Sequence, residues 1–209
     1  MDLAEKGSRP LHWFAFLTAA ATLVLLGIGG LVTSHGAGMA VPDWPTTYGY
    51  NMFFFPFSYW MGGIFYEHSH RLVATLVGVL VVALTRWLGG RPSRLPLAII
   101  GGLELLAGLA LGALGPNWRG AGHFLAGIGG VVLLAAAVWA RNAPAPRPLP
   151  LLAWVAFFGV QIQGLLGGLR VVLFQDEIGI FHATLAQLFF LLLCLVVLLT
   201  SRWWRTLAA

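Results

Sequence analysis

The chain has 209 residues, of which 59% are hydrophobic and only 9% are charged, whereas about a quarter of the residues of an ordinary soluble domain are charged. This composition excludes a soluble globule and a disordered chain, and it is typical of a helical protein that crosses a membrane several times. The net charge of +5 does not indicate nucleic-acid binding, because the basic residues lie in the gaps between apolar runs rather than on one element.

Six apolar runs are each long enough to cross the hydrocarbon core of a bilayer as a helix, which takes about 20 residues. The first run is too long for the apolar core of a signal peptide, so we expect it to remain as a span. The sequence therefore predicts one all-α membrane domain over residues 1–209. The predicted spans are 11–33, 66–88, 96–114, 120–140, 150–173 and 179–200, and 34–65 is the one long loop.

The loops between these spans differ in charge, and this difference predicts the orientation. One set of loops carries Asp43, Asp176 and Glu177, with Arg119 as its plain loop cation. The other set carries the remaining loop cations, so by the positive-inside rule both termini are predicted to be cytoplasmic. The cations of this second set are Lys6, Arg9, Arg86, Arg91, Arg94, Arg141, Arg147, Arg202 and Arg205.

Two connections have a composition that limits their structure. Glycines and prolines between Gly36 and Gly49 exclude a regular helix from the first half of the long loop. The aromatic stretch 52–57 is predicted to lie on the membrane surface or to cover the outer mouth of the bundle. The proline-rich segment 141–150 is predicted to be a stiff cytoplasmic connection.

The segment 67–71 places two imidazoles, a carboxylate and a guanidinium at the start of an apolar run. Such groups are costly in a bilayer, so we expect them to have a function. On a helix, Glu67, His70 and Arg71 lie on one face. His68 and His70 are two residues apart and point to nearly opposite sides. We therefore predict that His70, rather than His68, faces an interior pocket together with Glu67.

Several histidines fall in one layer near the predicted outer surface, and two neutral imidazoles on different helices can ligate a heme iron from its two faces. His70 with His182 is the best pair, and His123 is the spare. Arg71 and Arg170 lie near outer ends and suit the heme propionates. The chain has no Cys-x-x-Cys-His site, so a heme would be bound non-covalently. The layer consists of His35, His70, His123 and His182, whereas His12 and His68 are predicted at interfaces.

Glycine pairs at four-residue spacing predict close helix packing in two predicted hairpins, 96–140 and 150–200. The glutamate, glycine and histidine of the first hairpin have the spacing of a glutamine, glycine and histidine in the second, which raises the hypothesis that the hairpins are related. Glu104, in the middle of a span, must be neutral or paired. The matching residues are Glu104, Gly108 and His123 in the first hairpin, and Gln163, Gly167 and His182 in the second.

Five stretches of this chain resemble the membrane-bound heme A synthases and occur in the order of that family. The resemblance implies a four-helix heme-binding unit with His70 and His182 as axial ligands, in the cytoplasmic membrane of a bacterium or archaeon. It implies the oxygen-dependent oxidation of a methyl group of heme O to the formyl group of heme A, for cytochrome oxidase assembly. In the family, the glutamate that matches Glu67 is tied to catalysis, by stabilising a cationic intermediate or by moving protons. The stretches are Gly29–Thr33, Val41–Pro45, Glu67–Arg71, Gln163–Gly168 and Phe181–Gln187.

The chain departs from the family in three respects. Many members carry a pair of cysteines where this chain has Val41 and Thr47. Typical members contain two four-helix halves, and this chain matches one. The hairpin 96–140, with His123, stands where the family has a short loop. A single half could pair as a homodimer, or the hairpin could replace part of the missing half.

Three functions remain as alternatives from the sequence. The first is a compact heme A synthase that uses heme O, dioxygen and an external electron donor, which the retained Glu67 favours. The second is a non-catalytic b-type cytochrome, a subunit of a respiratory membrane complex with partner subunits, which the missing cysteines favour. The third is a transporter or channel, for which the chain shows no inverted repeat with broken helices. Membrane lipid and heme, as heme b, O or A, are the expected partner and cofactor.

Overall fold

The computed structural model of the chain describes residues 3–138 and 148–207. Six long helices dominate these residues, which contain no β-strand, so the predicted all-helical bundle is confirmed. Each of the six is long and apolar enough to cross a membrane, which makes the chain a multi-pass membrane protein by length and composition. The helices are α1 (Leu3–Ser34), α2 (Gly62–Gly89), α3 (Arg94–Ala113), α4 (Pro116–Ala137), α5 (Pro148–Leu173) and α6 (Asp176–Thr200), followed by the short α7 (Arg202–Leu207).

The predicted spans coincide with these helices, although several helices begin earlier than the apolar runs do. Two of them, α4 and α5, begin at a proline, which suits the first helical position because its missing N–H would have no partner there. Gly115 adopts a φ of 133° and makes the short turn from α3 to α4. Residues 139–147 lie outside the described residues and include the last two residues of the fourth predicted span and most of the predicted connection 141–150. Residues 148–150 of that connection instead begin α5. The cytoplasmic location of the termini stays a prediction.

Four of the helices form a square unit. In it, α1 packs against α2 and α6, and α5 packs against the same two helices, so α2 and α6 face each other across the diagonal. One apolar cluster from all four helices fills the half of the square that lies away from the long loop, with Leu84 and Leu193 among its fully buried members. We call the end of the square that carries residues 35–61 the loop end. Polar side chains are left to the loop end, where the functional site is built.

The α3–α4 hairpin lies outside the square, against α2 and α5, where Val82, Leu97, Val132 and Phe157 form a second core. Its two helices approach each other through glycines. A Cβ added at Gly108 would lie 2.3 Å from the backbone nitrogen of Ala126 in α4. The architecture is therefore a four-helix unit with an additional hairpin, as predicted.

The long loop is irregular over its first half, as its glycines and prolines predict, and it contains two 3₁₀ turns, Met52–Phe54 and Phe57–Tyr59. The aromatic stretch divides between two environments. Phe55 is buried against the protein, whereas Phe54 and Phe57 are about four-fifths exposed, at 80% and 79%. The position of these exposed rings relative to the membrane surface stays a prediction.

Candidate functional site

The imidazoles of His70 and His182 meet inside the square at its loop end. Their ring centroids are 6.5 Å apart and their planes are nearly perpendicular, at 82°. Because α2 and α6 occupy diagonal positions, the two rings approach each other from opposite sides of the bundle interior. The structure thus brings together the two histidines that the sequence paired.

A glycine on α1 makes room for the ring of His70. A Cβ at Gly29 would lie only 3.2 Å from Cε1 of that ring, so a side chain there would push against it. The Nδ1 atom of His70 is buried and makes no hydrogen bond. It lies beside the backbone carbonyl of Leu25, one helical turn before Gly29, without reaching hydrogen-bond geometry.

The ring of His182 has the same surroundings on α5. A Cβ at Gly167 would lie 3.5 Å from Cε1 of His182. The Nδ1 atom is again buried without a hydrogen bond, and the ring lies beside the backbone carbonyl of Gln163, one turn before the glycine. The site therefore consists of two similar halves, each with a histidine, a glycine on the neighbouring helix and a carbonyl one turn away.

This geometry fits a metal ion held between the two rings. A metal–imidazole bond is about 2.0–2.1 Å long, which brings the centroids of two rings on one metal to about 6 Å. A histidine that binds a metal usually gives its other nitrogen to a carbonyl or a carboxylate, and the rings of His70 and His182 lie beside the backbone carbonyls of Leu25 and Gln163. The described residues contain no group of three or more side chains able to hold a metal ion. Two imidazoles can supply two ligands of a metal ion, and a porphyrin is one group that supplies the other ligands of iron.

The carboxylate of Glu67 is directed to the long loop. It is only 4% exposed. Its Oε2 accepts a hydrogen bond from the backbone N–H of Val41 at 2.8 Å, and its Oε1 accepts one from Arg71 at 2.7 Å. The helical spacing predicted that Glu67 and His70 share one pocket, whereas the structure brings the Glu67 carboxylate together with Arg71 and the loop. Its catalytic role stays a prediction.

Arg71 holds the first part of the long loop against α2 through hydrogen bonds. Its Nη1 donates to the carbonyls of Asp43 at 2.7 Å and Thr46 at 2.9 Å, and its Nη2 donates to the carbonyl of Val41 at 2.9 Å as well as to Glu67. Both terminal nitrogens thus have partners within the protein. The structure assigns Arg71 the task of holding the loop, and its predicted contact with a propionate stays a prediction.

Arg170, in contrast, borders an open cavity at the loop end. The cavity has a volume of about 230 Å³ and is lined by Arg170, Asp176 and the end of α1. The guanidinium pairs only weakly with Asp176, at 3.5 Å, and its Nε is buried without a hydrogen bond. It lies close enough to both imidazoles for its charge to act on them. Of the two arginines named from the sequence, Arg170 has the freer head group.

His123 is not brought to the other two histidines. It lies on α4, outside the square, and its side chain is exposed. Its neighbour Phe124 contacts Trp44 of the long loop, with ring centroids 4.6 Å apart. The predicted spare ligand is thus separated from the site by the helices of the square.

His68 has a structural environment that the sequence did not reveal. It is fully buried, and its Nδ1 lies 3.0 Å from the hydroxyl of Thr47. The rings of Phe55 and Trp60 pack against it, with centroids at 5.1 and 4.6 Å. His68 therefore holds the second part of the loop, as Arg71 holds the first. The signal in the sequence is the two-residue offset from His70, which turns His68 to the side of the aromatic stretch.

Asp43 fixes the fold of the loop itself. Its carboxylate accepts hydrogen bonds from the N–H groups of Tyr48 at 2.7 Å and Gly49 at 2.8 Å, and from the hydroxyl of Thr46. Burial by itself would raise the pKa of Asp43, but these hydrogen bonds outweigh burial and hold the pKa below its ordinary value. The next residue, Trp44, lies so close to α5 that a Cβ at Gly168 would be 2.4 Å from its ring.

Glu104, named from the sequence, meets a polar residue of α5. The carboxyl group of Glu104 lies beside the amide of Gln161, and its Oε2 is buried without a hydrogen bond. His12 forms a contact of 3.1 Å with the hydroxyl of Thr200 and joins α1 to α6, in agreement with its predicted place at an interface.

A curated heme A synthase of Geobacillus kaustophilus (strain HTA426) is 36% identical to this chain over 85 residues. The matched region is 38% of this chain and 24% of the relative, so the chain spans about a quarter of the length of the protein that it matches. No family model matches the chain. No solved structure matches it either.

Proposed function

We propose that this chain is a membrane heme protein of the heme A synthase type, in which His70 and His182 would hold the heme iron. One observation carries the proposal: two imidazoles face each other across the interior of a four-helix unit, with centroids 6.5 Å apart. The similarity to a curated heme A synthase over 85 residues supports the same family. We also propose that both termini are cytoplasmic, which places the site near the outer surface.

The residues of the site have distinct tasks in this proposal. His70 and His182 would each hold the iron through one ring nitrogen, and the backbone carbonyls of Leu25 and Gln163 lie beside the two rings, where they can accept from the other nitrogen. Gly29 supplies the space for one of the rings. When bound, heme would supply the one-electron redox chemistry of its iron.

The rim of the site provides charge and holds the long loop in place. Arg170 pairs with a propionate from the cavity that it borders. Glu67 and Arg71 hold the loop over the mouth through main-chain contacts. His123, exposed on the outside of α4, has no task in this arrangement.

The reaction that we propose is the oxidation of a methyl group of heme O to the formyl group of heme A. Dioxygen is the oxidant, and an external donor supplies electrons. Glu67 is the candidate for the catalytic carboxylate. Because both of its oxygens already accept hydrogen bonds, its effect on the reaction would also pass through the position of the loop.

The decisive experiment is pigment extraction from the purified protein after expression with and without a source of heme O. A formyl-heme spectrum that appears only with heme O, and that Glu67→Gln abolishes while heme remains bound, supports the enzyme. Heme b alone under both conditions contradicts the reaction and supports the b-type cytochrome. A colourless preparation of folded protein contradicts both.

A further inference from the structure

Gln187 is a polar side chain in the middle of α6 that faces away from the bundle. It lies about 16 Å along the helix from Asp176, the first residue of α6, and it is exposed. Phe189, Leu193 and Val196 are buried on the opposite side of the same helix. Among the described residues that lie ten or more positions from both ends of a long helix, every other exposed residue is apolar, aromatic or glycine.

An amide in this position needs a partner from outside the chain. The hydrocarbon core offers no water, and an unpaired polar group there costs free energy. Gln187 makes no hydrogen bond to another described residue. The exposed side chains around it, such as Leu188 and Leu191, are those expected to contact lipid or another helix.

We propose that this face of α6 is the interface with a second copy of the chain, in which the two Gln187 side chains pair across a twofold axis along the membrane normal. Two copies inserted in the same direction carry Gln187 at the same depth, so such an axis brings the two amides together. A carboxamide both donates and accepts hydrogen bonds, so it is complementary to itself. A different protein could pair with Gln187 only if it carried a polar group at the same depth in the membrane.

The surface around Gln187 fits a parallel pair of helices. Ile180, Thr184, Gln187 and Leu191 follow the alternating four- and three-residue spacing of a coiled-coil seam. The hydroxyl of Thr184 donates to the carbonyl of Ile180 at 2.9 Å and so leaves the amide of Gln187 as the group without a partner. Ala183, also exposed, is small enough for a close approach.

The interface leaves the histidine site intact. His182 lies on the inner side of α6, and Gln187 on the outer side, so each copy retains its own pair of imidazoles. The proposal therefore stands apart from the binding of heme, and neither depends on the success of the other.

Disulfide cross-linking of the full chain in liposomes tests whether this face of α6 is the interface between two copies. In a Cys194→Ala background, Leu191→Cys on α6 is compared with Leu103→Cys on α3, since the two leucines are similarly exposed, at 61% and 63%. With a mild oxidant we expect a dimer band for Leu191→Cys and none for Leu103→Cys. Equal cross-linking of both variants, or of neither, overturns the proposal.

The contribution of the amide is measured by energy transfer between labelled copies as the lipid is diluted. Gln187→Leu is expected to weaken association about 3- to 30-fold, since an interhelical hydrogen bond in a membrane contributes about 0.6–2 kcal/mol. Gln187→Asn keeps the amide and is expected to keep part of the association. Helix content by circular dichroism verifies the fold of each variant. Unchanged association of Gln187→Leu, or a monomeric wild type at every dilution, contradicts the proposal.

Discussion

The α5–α6 and α3–α4 hairpins carry the same spacing of glycine and histidine and use it in opposite ways. In α5–α6, the space beside Gly167 is filled by the ring of His182. In α3–α4, the space beside Gly108 is filled by the backbone of α4, and His123 is turned to the outside. In α5–α6 the glycine makes room for an imidazole, whereas in α3–α4 it makes room for the neighbouring helix.

The difference shows that glycine spacing by itself does not identify a binding site. A glycine removes a side chain, and what occupies the space depends on how closely the two helices approach. Where a Cβ would lie 2.3 Å from backbone atoms, as at Gly108, no room remains for a ligand. At Gly167 the nearest atom is in the ring of a histidine, at 3.5 Å, so a side chain rather than the backbone of the neighbouring helix occupies the space.

The largest effect should be the change in bound heme when the histidines of the two hairpins are replaced by alanine. We expect His182→Ala to lose the bound heme, because it removes one of the two imidazoles proposed to hold the iron, and His70→Ala to do the same. His123→Ala is the matched control from the other hairpin and should retain its heme, because its side chain is exposed outside the square. The ratio of heme to protein in the purified variants is the measurement. Loss of heme in His123→Ala with retention in His182→Ala would reverse the comparison.

A smaller effect, on the free energy of folding, is expected when a side chain is added at Gly108 of α3. Gly108→Ala places a methyl group against the backbone of α4, and overpacking of this kind costs about 1–3 kcal/mol of folding free energy. Gly102→Ala, on the same helix with open space around it, should not destabilise the protein. Reversible unfolding in mixed detergent micelles compares the two. Equal stabilities would mean that the hairpin is less closely packed than described.

Filling the glycines beside the histidines sharpens the comparison within the site. A Cβ at Gly29 lies 3.2 Å from the ring of His70, so Gly29→Ala should shift the heme absorption spectrum and weaken heme binding. Gly167→Ala should have less effect, because the corresponding distance is 3.5 Å. Gly30→Ala meets open space and serves as the control on α1. A larger change in Gly30→Ala than in Gly29→Ala would contradict the placement of His70.

The sequence predicted the six helices because the thickness of a bilayer fixes how long each apolar run must be. It also predicted that His70 and His182 would meet, since both lie at one depth on different helices. It did not predict the partners of Glu67, because the N–H of Val41 is a main-chain group that every residue type possesses. It ranked His123 below His182 as a ligand but did not predict that His123 lies outside the square, since the two histidines share the same spacing from a glycine and differ in how their helices pack.

The smallest effect is on the stability of the long loop. This loop contacts both hairpins, because Trp44 lies between Gly168 of α5 and Phe124 of α4. The pKa of Asp43 lies below its ordinary value in the folded loop, so the carboxylate stabilises the loop above the unfolded pKa of about 4. That stability is lost as the pH falls through the lower, folded pKa. Amide hydrogen exchange of residues 43–50 should therefore accelerate below about pH 4.

Asp43→Asn is the control for this titration. The variant lacks the charge at every pH, so its loop exchange should vary less with pH than that of the wild type, after correction for intrinsic exchange. The same acceleration below pH 4 in both proteins would assign the effect to another group.

The way Arg71 holds the loop has a consequence for the evolution of this region. Its guanidinium contacts the carbonyls of Val41, Asp43 and Thr46, and carbonyls are present whatever the side chain. Recognition of these three oxygens therefore tolerates changes of side chain at the positions that supply them, within the limit set by Asp43, whose carboxylate fixes the fold of the loop. Replacing Arg71 by lysine would break this tolerance, because a single ammonium cannot span three carbonyls and a carboxylate with the geometry of a planar fork.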